Sequence, residues 1–231
     1  MTGRTRGHAY AAAHEKPTLV IFDCDGVLVD TETIAGAMFS EYVRATGYSA
    51  SHEECLVTFR GRSMKSAMEI VEADIGRTLP ADWGERIEED VQAIFRRSVD
   101  AIPHVYHVTK AIEATGIDRC VASSSVLEHI ENSVEKIGLA DHFSGNLFSA
   151  TMVEKGKPAP DLFLHAAREM GHAPQVSVVI EDSLPGVQAG VAAGMRVFGY
   201  VGDEITDGRA LAEAGATVFD DMRKLPTLMG L

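Results

Sequence analysis

Cysteine is scarce in this chain, with three residues in 231 and no CxxC spacing between them. So small and odd a set indicates neither a disulfide framework nor a zinc site built from cysteines. The nine histidines show no HExxH pattern, and no apolar run is long enough to span a bilayer. Residues 1–16 also lack the apolar core of a secretory signal. We therefore expect a cytoplasmic protein in which residues 1–16 form a flexible leader.

Basic side chains are outnumbered, with 21 lysines and arginines against 34 acidic residues and a net charge of −13. Such a surface repels the phosphates of nucleic acids and anionic lipids, so we expect neither a nucleic acid nor a membrane as partner. It also repels a phosphorylated small molecule at long range. A site for such an anion must then be built locally, from a metal ion, a lysine or backbone N–H groups. For the assembly, we expect a monomer or a weak dimer.

Strands and helices alternate along most of the chain. Short apolar runs predict strands at 18–22, 119–122, 176–180 and 196–201, and helical spacing follows each of them. Strands that are apolar along nearly their whole length are typical of a parallel sheet with helices on both faces. The predicted fold class is therefore α/β, with a doubly wound, Rossmann-like parallel sheet.

Residues 32–99 interrupt this alternation, because they carry only helical signals. Within them, Ser51 and Glu54 have the spacing of a capping box at a helix N-terminus. We interpret this segment as an inserted α-helical cap domain. The sheet domain would then consist of residues 17–31 and 100–231.

Acidic residues follow two of the predicted strands at the point where each strand ends. Asp23 and Asp25 come after the first strand, and Glu181 and Asp182 come after the third. The carboxyl ends of parallel strands lie at one edge of the sheet, where such sheets bind ligands. If the two strands are neighbours, their carboxylates would form an oxygen-rich cage suited to Mg²⁺, which would offset their repulsion. The alternatives are an acidic turn at the first strand and a helix cap at the third.

Two further segments offer groups that bind phosphate. Lys157 lies in GKPAPD, where prolines stiffen the backbone around a point charge. Lys155 competes for this role, and a solvated surface lysine is the alternative. Ser123 and Ser124 directly follow the second strand, where the hydroxyls and N–H groups of a strand-to-helix turn can cradle a phosphate. A simple helix N-cap is the alternative there.

Four motifs, in this order, resemble those of the haloacid dehalogenase-like superfamily of phosphohydrolases over residues 18–219. They are DCDGVLVD, VASSS, GKPAPD and VVIEDSLPGVQAG, of which the first and the last are specific. The placement of the helical segment also resembles the cap called type C1. The resemblance implies that Asp23 is the nucleophile, which forms an aspartyl-phosphate. It implies that Asp25 is the general acid for the leaving group and then the base for water.

The resemblance also assigns the binding groups. Ser123 and Lys157, with the neighbouring Ser124, would bind the transferring phosphoryl group. Mg²⁺ would be held by the backbone carbonyl of Asp25 and by three carboxylates, those of Asp23, Glu181 and Asp182. These roles predict a Mg²⁺-dependent phosphatase that acts on a small phosphorylated metabolite, such as a sugar or sugar-acid phosphate.

Three other functions share parts of this pattern. A β-phosphoglucomutase-like sugar phosphomutase shares all four motifs, but such enzymes carry a histidine and an arginine where this chain has Ala35 and Met64. A 2-haloacid dehalogenase typically lacks the second aspartate, which is Asp25 here. A non-catalytic interaction protein of this fold would not need every catalytic position to be filled. The phosphatase is therefore the favoured interpretation, and the phosphomutase is the main alternative.

The loop FRGRSMKS of the predicted cap carries the candidates for substrate specificity. Arg62 or Lys65 could pair with a second anionic group of the substrate, such as the carboxylate of a sugar acid. Gly61 permits a close approach of the backbone. The alternative is that both basic side chains are solvated.

Overall fold

The computed structural model describes residues 16–30, 32–95, 99–203 and 206–231. Nearly all of the predicted leader, residues 1–16, lies outside these ranges. None of the described helices combines the length and the apolar character that crossing a bilayer requires.

The strands of the described chain are short. In chain order they are β1 (Leu19–Phe22), β2 (Val29–Asp30), β3 (Asp100–Ala101), β4 (Asp118–Ser123), β5 (Leu147–Ser149), β6 (Ser177–Glu181), β7 (Arg196–Tyr200) and β8 (Thr217–Phe219). The helices are α1 (Glu32–Ala45), α2 (His52–Phe59), α3 (Met64–Ile75), α4 (Trp83–Phe95), α5 (Val105–Thr115), α6 (Leu127–Lys136), α7 (Ala140–Phe143), α8 (Asp161–Glu169), α9 (Leu184–Ala192), α10 (Gly208–Glu213) and α11 (Leu225–Met229). Four helices follow one another between β2 and β3, as the helical signals in that segment predict.

Six of the strands form one parallel sheet in the order β5-β4-β1-β6-β7-β8. Alternate residues of the central strand β1 face opposite sides, so that Val20 and Phe22 pack in one core and Leu19 and Ile21 in the other. All four side chains are fully buried. Helices therefore cover both faces of the sheet, and the predicted doubly wound α/β fold class is confirmed.

Helices α1–α4 lie between β2 and β3 in the chain, and we call them the helical insert. Strands β2 and β3 pair antiparallel on either side of it, so the chain leaves the sheet domain and returns at one place. The predicted capping box of Ser51 and Glu54 begins α2. Phe59, Val71 and Ile87 are buried in a core of the insert's own. These features support the predicted cap, and its division from the sheet domain stays a proposal.

Candidate active site

The register of the sheet brings the predicted acidic strand ends together. Phe22, the last residue of β1, pairs with Val121 of β4 on one side and with Ile180 of β6 on the other. The residues that come next in the chain, Asp23 and Glu181, therefore lie side by side at the carboxyl edge. The serines at the end of β4 border the same edge, which is where an open parallel sheet binds its ligand.

Lys157 lies at the centre of this edge, with 1% of its surface exposed. Its Nζ donates to Asp23 Oδ1 and to Glu181 Oε1, both at 2.6 Å. Burial alone would lower the pKa of Lys157, but the two carboxylates raise it above its ordinary value, so the ammonium stays charged. The structure thus places the predicted lysine against the predicted nucleophile, whereas its rival Lys155 is exposed.

Glu181 is fully buried and holds the turn that follows β6. Its Oε2 accepts the backbone N–H of Asp182 at 2.9 Å and both the N–H and the hydroxyl of Ser183 at 2.8 Å. Because its other oxygen accepts from Lys157, this carboxylate has little capacity left for a metal ion. Of the two predicted acids of this turn, Glu181 is therefore better placed to position Lys157, whereas Asp182 is better placed to bind a cation.

Three buried carboxylates meet closely enough to fit a divalent cation. Asp23, Glu181 and Asp182 each present one oxygen, and the three oxygens lie within 4.8 Å of one another. Burial raises the pKa of Asp23 well above its ordinary value; Lys157 opposes this effect, and the two neighbouring carboxylates add to it. A divalent cation at this all-oxygen set would relieve that repulsion, so the donor set fits Mg²⁺. The loop after β1 lies against the cluster, since a Cβ at Gly26 would stand 2.1 Å from Asp182 Oδ2.

Asp25 has different partners from Asp23. Its Oδ2 accepts the hydroxyl of Ser125 at 2.8 Å, and its Oδ1 lies 2.9 Å from His129 Nε2. Burial would lower the pKa of His129, but Asp25 raises it above its ordinary value. Sequence patterns did not reveal His129; the available signal was its position in the first turn of α6, directly after the serines that follow β4. An aspartate held in this way, outside the acidic cluster, is suited to proton transfer.

The two predicted phosphate-binding serines differ in their surroundings. Ser123 is buried; its Oγ accepts the N–H of Ser125 at 3.1 Å and lies 3.5 Å from Asp25 Oδ2. Ser124 instead donates its hydroxyl to the carbonyl of Gly61, in the helical insert, at 2.9 Å. Ser123 therefore stays beside the predicted catalytic groups, whereas Ser124 joins the sheet domain to the insert.

Arg60 reaches from the insert into the acidic edge. Its guanidinium donates to Asp182 Oδ2 through Nε at 3.0 Å and Nη2 at 2.5 Å, and to the two oxygens of Asp203 at 3.3 and 2.8 Å. Burial would raise the pKa of Asp203, but Arg60 and Thr206 lower it to about 2. The sequence held no signal for this contact, because Arg60 and Asp182 are 122 residues apart. The candidate metal ligand Asp182 thus has a cation from the insert beside it.

Gly61 allows this loop to approach the sheet domain closely. Its φ is +71°, and a Cβ there would stand 2.1 Å from the hydroxyl oxygen of Ser183. The close approach that the sequence suggested for Gly61 is therefore present. A larger side chain at this position would push the insert away from the acidic edge.

A cavity of about 210 Å³ lies between the acidic edge and the insert. Its floor consists of polar side chains from the sheet domain: Asp23, Asp25, Ser123, Ser124, Ser125 and His129. Arg62 lines the cavity from the insert, and its Nε donates to the carbonyl of Thr58 at 2.8 Å. Lys65 is exposed and does not line the cavity. Of the two predicted specificity residues, the structure brings Arg62 to the site and leaves Lys65 outside it.

Comparison with known proteins identifies the family. Residues 20–200 match the family model described as haloacid dehalogenase-like hydrolase. The chain belongs to this family. It is similar to the 6-phosphogluconate phosphatase of Escherichia coli K12, with 30% identity over 210 residues, 90% of this chain and 93% of that protein. The predicted family is therefore confirmed, and the family and this relative support a hydrolase of phosphoric monoesters.

Solved structures share the fold over nearly the whole chain. A haloacid dehalogenase-like protein from Agrobacterium tumefaciens is 35% identical, with a TM-score of 0.74 over 92% of this chain and 97% of that one. A putative β-phosphoglucomutase from Bacteroides vulgatus is 27% identical, with a TM-score of 0.77 over 92% of this chain and 87% of that one. Because the fold does not separate hydrolysis from isomerisation, the function must be argued from the site.

Proposed function

We propose that this protein is a Mg²⁺-dependent phosphatase that hydrolyses a small phosphorylated metabolite, a sugar or sugar-acid phosphate, through an aspartyl-phosphate on Asp23. The observation that carries the proposal is the buried pair of Asp23 and Lys157, whose Oδ1 and Nζ are 2.6 Å apart, with Asp23 lining the floor of the cavity. A carboxylate nucleophile beside a fixed cation is the arrangement that two-step phosphoryl transfer requires.

In the first step, a carboxylate oxygen of Asp23 would attack phosphorus, and the bond from phosphorus to the leaving oxygen would break. Asp25, in its protonated form, would donate its proton to that oxygen, while Ser125 and His129 hold its carboxyl group in place. In the second step, Asp25 would take a proton from water, whose oxygen attacks phosphorus while the bond from phosphorus to the Asp23 oxygen breaks. Phosphate would leave, and both aspartates would return to their starting states.

The remaining groups would bind and orient the phosphoryl group. Lys157 and Ser123 would contact its oxygens, and because Glu181 holds Lys157, this charge would not have to reorganise during the reaction. Mg²⁺ would be held by oxygens of Asp23 and Asp182 and by the backbone carbonyl of Asp25, with Glu181 beside them holding Lys157. When bound, Mg²⁺ would offset the negative charge that the phosphoryl oxygens carry.

Two positions favour hydrolysis over the phosphomutase reaction. Ala35 and Met64 stand where the resemblance places the histidine and arginine of β-phosphoglucomutase-like enzymes. Met64 lines the cavity with a thioether, which cannot grip a phosphate as an arginine does. Arg62 lines the same cavity, so the products must be examined directly.

Phosphate release from p-nitrophenyl phosphate, with and without Mg²⁺, tests the proposal. We expect activity to require Mg²⁺, to vanish after chelation and to be inhibited by Ca²⁺, whose coordination is larger and looser. Asp23→Asn should abolish turnover of every substrate while thermal unfolding shows an intact fold. Full activity after exhaustive chelation, or in this variant, would overturn the proposal. If a sugar phosphate isomer accumulates in place of free phosphate, the reaction is that of a phosphomutase.

A further inference from the structure

The roof of the cavity is apolar, in contrast to its polar floor. Six of the insert side chains that line it carry no hydrogen-bonding group of consequence: Phe39, Leu56, Phe59, Met64, Ile87 and Val91. Four of these, Phe39, Leu56, Met64 and Val91, are only half-buried, so they present apolar surface to the cavity. Phe39 packs edge to face against Phe59, with ring centroids 5.3 Å apart, which fixes an aromatic wall.

A chain rich in hydroxyls would fit this roof poorly. Each hydroxyl that leaves water without gaining a hydrogen bond loses free energy, and hydrocarbon side chains offer it none. An uncharged ring would gain free energy there, because it covers apolar surface that otherwise faces water. The phosphate end of a substrate therefore matches the floor, and an apolar far end matches the roof.

The volume of the cavity limits the size of that far end. A cavity of roughly 150 Å³, lined by aliphatic and aromatic side chains, holds one benzene molecule. At about 210 Å³, this cavity has room for one such ring and some of the atoms that link it to the phosphate.

Two polar side chains of the insert define what the edge of the ring can carry. Glu88 and Arg62 both line the cavity. Glu88 can accept a hydrogen bond from a ring N–H, and Arg62 can donate to a ring carbonyl. A heteroaromatic ring offers both kinds of group, whereas a carboxylate at the far end could accept from Arg62 but would be repelled by Glu88.

We propose that the substrate of this site is a sugar phosphate that carries a single uncharged aromatic or heteroaromatic ring, which packs against Phe39 and Leu56 beneath the insert. This inference rests on the proposed phosphatase function and narrows it. It departs from a sugar-acid phosphate, whose far end would place hydroxyls and a carboxylate against the apolar roof.

Two matched pairs of substrates test the inference, each pair differing only in the ring. The pairs are ribose 5-phosphate with uridine 5′-monophosphate, and glucose 6-phosphate with phenyl β-D-glucoside 6-phosphate. Burying one ring should raise kcat/KM by about 10-fold to 100-fold in at least one pair. The inference is overturned if the ring raises kcat/KM in neither pair, or if 6-phosphogluconate is hydrolysed more efficiently than both ring-bearing substrates.

A pair of neighbouring variants on α2 locates the ring. Leu56 lines the cavity, whereas Val57 is 65% exposed to solvent. Leu56→Asn should reduce the advantage of the ring-bearing substrate about tenfold, since a polar group would then face the ring. Val57→Asn should leave both kcat/KM values unchanged. If Leu56→Asn unfolds the protein, Met64→Gln tests the same apolar roof. If the ring-bearing substrate keeps its full advantage in a folded variant, the inference is contradicted.

Failure of this inference can be told from failure of the phosphatase proposal. If phosphate is released from all five compounds without preference for a ring, the reaction stands and the ring site does not. If phosphate is released neither from any of these five compounds nor from p-nitrophenyl phosphate, even with Mg²⁺, the proposed reaction itself is wrong.

Discussion

The two halves of the candidate site are built in different ways. The half from the sheet domain consists of charged and hydroxyl groups that fix one another, and its Lys157 and Glu181 are at most 1% exposed. The half from the helical insert consists mainly of apolar side chains, several of them half-buried around the cavity. The first half has the groups that phosphoryl transfer needs. The second half has the surfaces that can select the rest of the substrate.

This difference predicts that substitutions in the two halves will affect kcat/KM in different ways. Contacts to the transferring phosphoryl group are the same for every substrate, so changes in the sheet domain should lower kcat/KM uniformly. Contacts to the far end exist only for substrates that have one, so changes in the insert should act selectively. Substrate pairs therefore separate the two halves more clearly than the size of any single loss.

Lys157→Met should have the largest effect, because it removes a buried cation from between two carboxylates. Losing one partner of a buried ion pair costs about 3–5 kcal/mol of stability, which urea unfolding would measure. Losing a preorganised group at the reacting phosphoryl should also lower kcat by at least about 10²-fold on every substrate. Lys155→Met, at an exposed position, is the matched control. A loss confined to one substrate would contradict the division between the two halves.

Asp25→Asn should show which group protonates the leaving oxygen. For an alkyl phosphate, whose leaving group needs a proton, kcat/KM should fall by about 10²-fold to 10⁴-fold. For p-nitrophenyl phosphate it should fall far less, because nitrophenolate departs without help and kcat/KM reports the first step. Equal losses on both substrates, in a folded variant that still binds Mg²⁺, would count against Asp25 as the general acid.

Arg62→Ala tests whether the helical insert contacts the far end of the substrate. For a substrate that fills the cavity, losing a charged hydrogen bond should lower kcat/KM by about 10-fold to 100-fold. Acetyl phosphate, which has no far end, should be affected much less. Lys65→Ala is the control, since Lys65 is exposed and does not line the cavity. A uniform loss in the Arg62 variant would indicate a structural role for its contact with Thr58, and no loss on either substrate would remove Arg62 from the site.

Arg60→Ala should have the smallest effect and the opposite sign. It removes a positive charge that contacts Asp182, so Mg²⁺ should bind roughly threefold to tenfold more tightly. Calorimetric titration of the folded protein with Mg²⁺ measures this without turnover. Weaker binding in the variant would show that Arg60 orders the metal ligands instead of competing with the metal.

The sheet domain's half of the site could be predicted because its residues follow strands. Asp23 and Glu181 lie at the ends of apolar runs, and parallel register turns two positions far apart in sequence into neighbours. The same reasoning located Ser123, whereas Lys157 was found from the prolines of GKPAPD and from the family resemblance; neither argument could give their partners. The sequence did not reveal that Glu181 accepts four hydrogen bonds, because those bonds depend on the turn that follows β6.

Apart from Arg62 and Gly61 of the loop FRGRSMKS, the insert's half could not be predicted, because it depends on how two units pack. Arg60 lies in the same loop, but sequence patterns assigned it no role, because it meets Asp182 only where the insert packs on the sheet domain. The half-buried apolar residues of the roof have the same helical spacing as ordinary core residues. Three short elements were also not predicted. β5, β8 and α7 have three or four residues each, which is too few to show a helical or strand period.

Detection of a phosphoryl group on Asp23 tests the central claim most directly. In Asp25→Asn, the first step with p-nitrophenyl phosphate should survive, and the second should slow because the base for water is missing. Mixing this variant with substrate and Mg²⁺, followed by acid quench and peptide mass spectrometry, should therefore show a stoichiometric burst of nitrophenol and one phosphoryl group on Asp23. A phosphoryl group on another residue, such as Ser123, or phosphate release without any phosphorylated protein, would contradict the account.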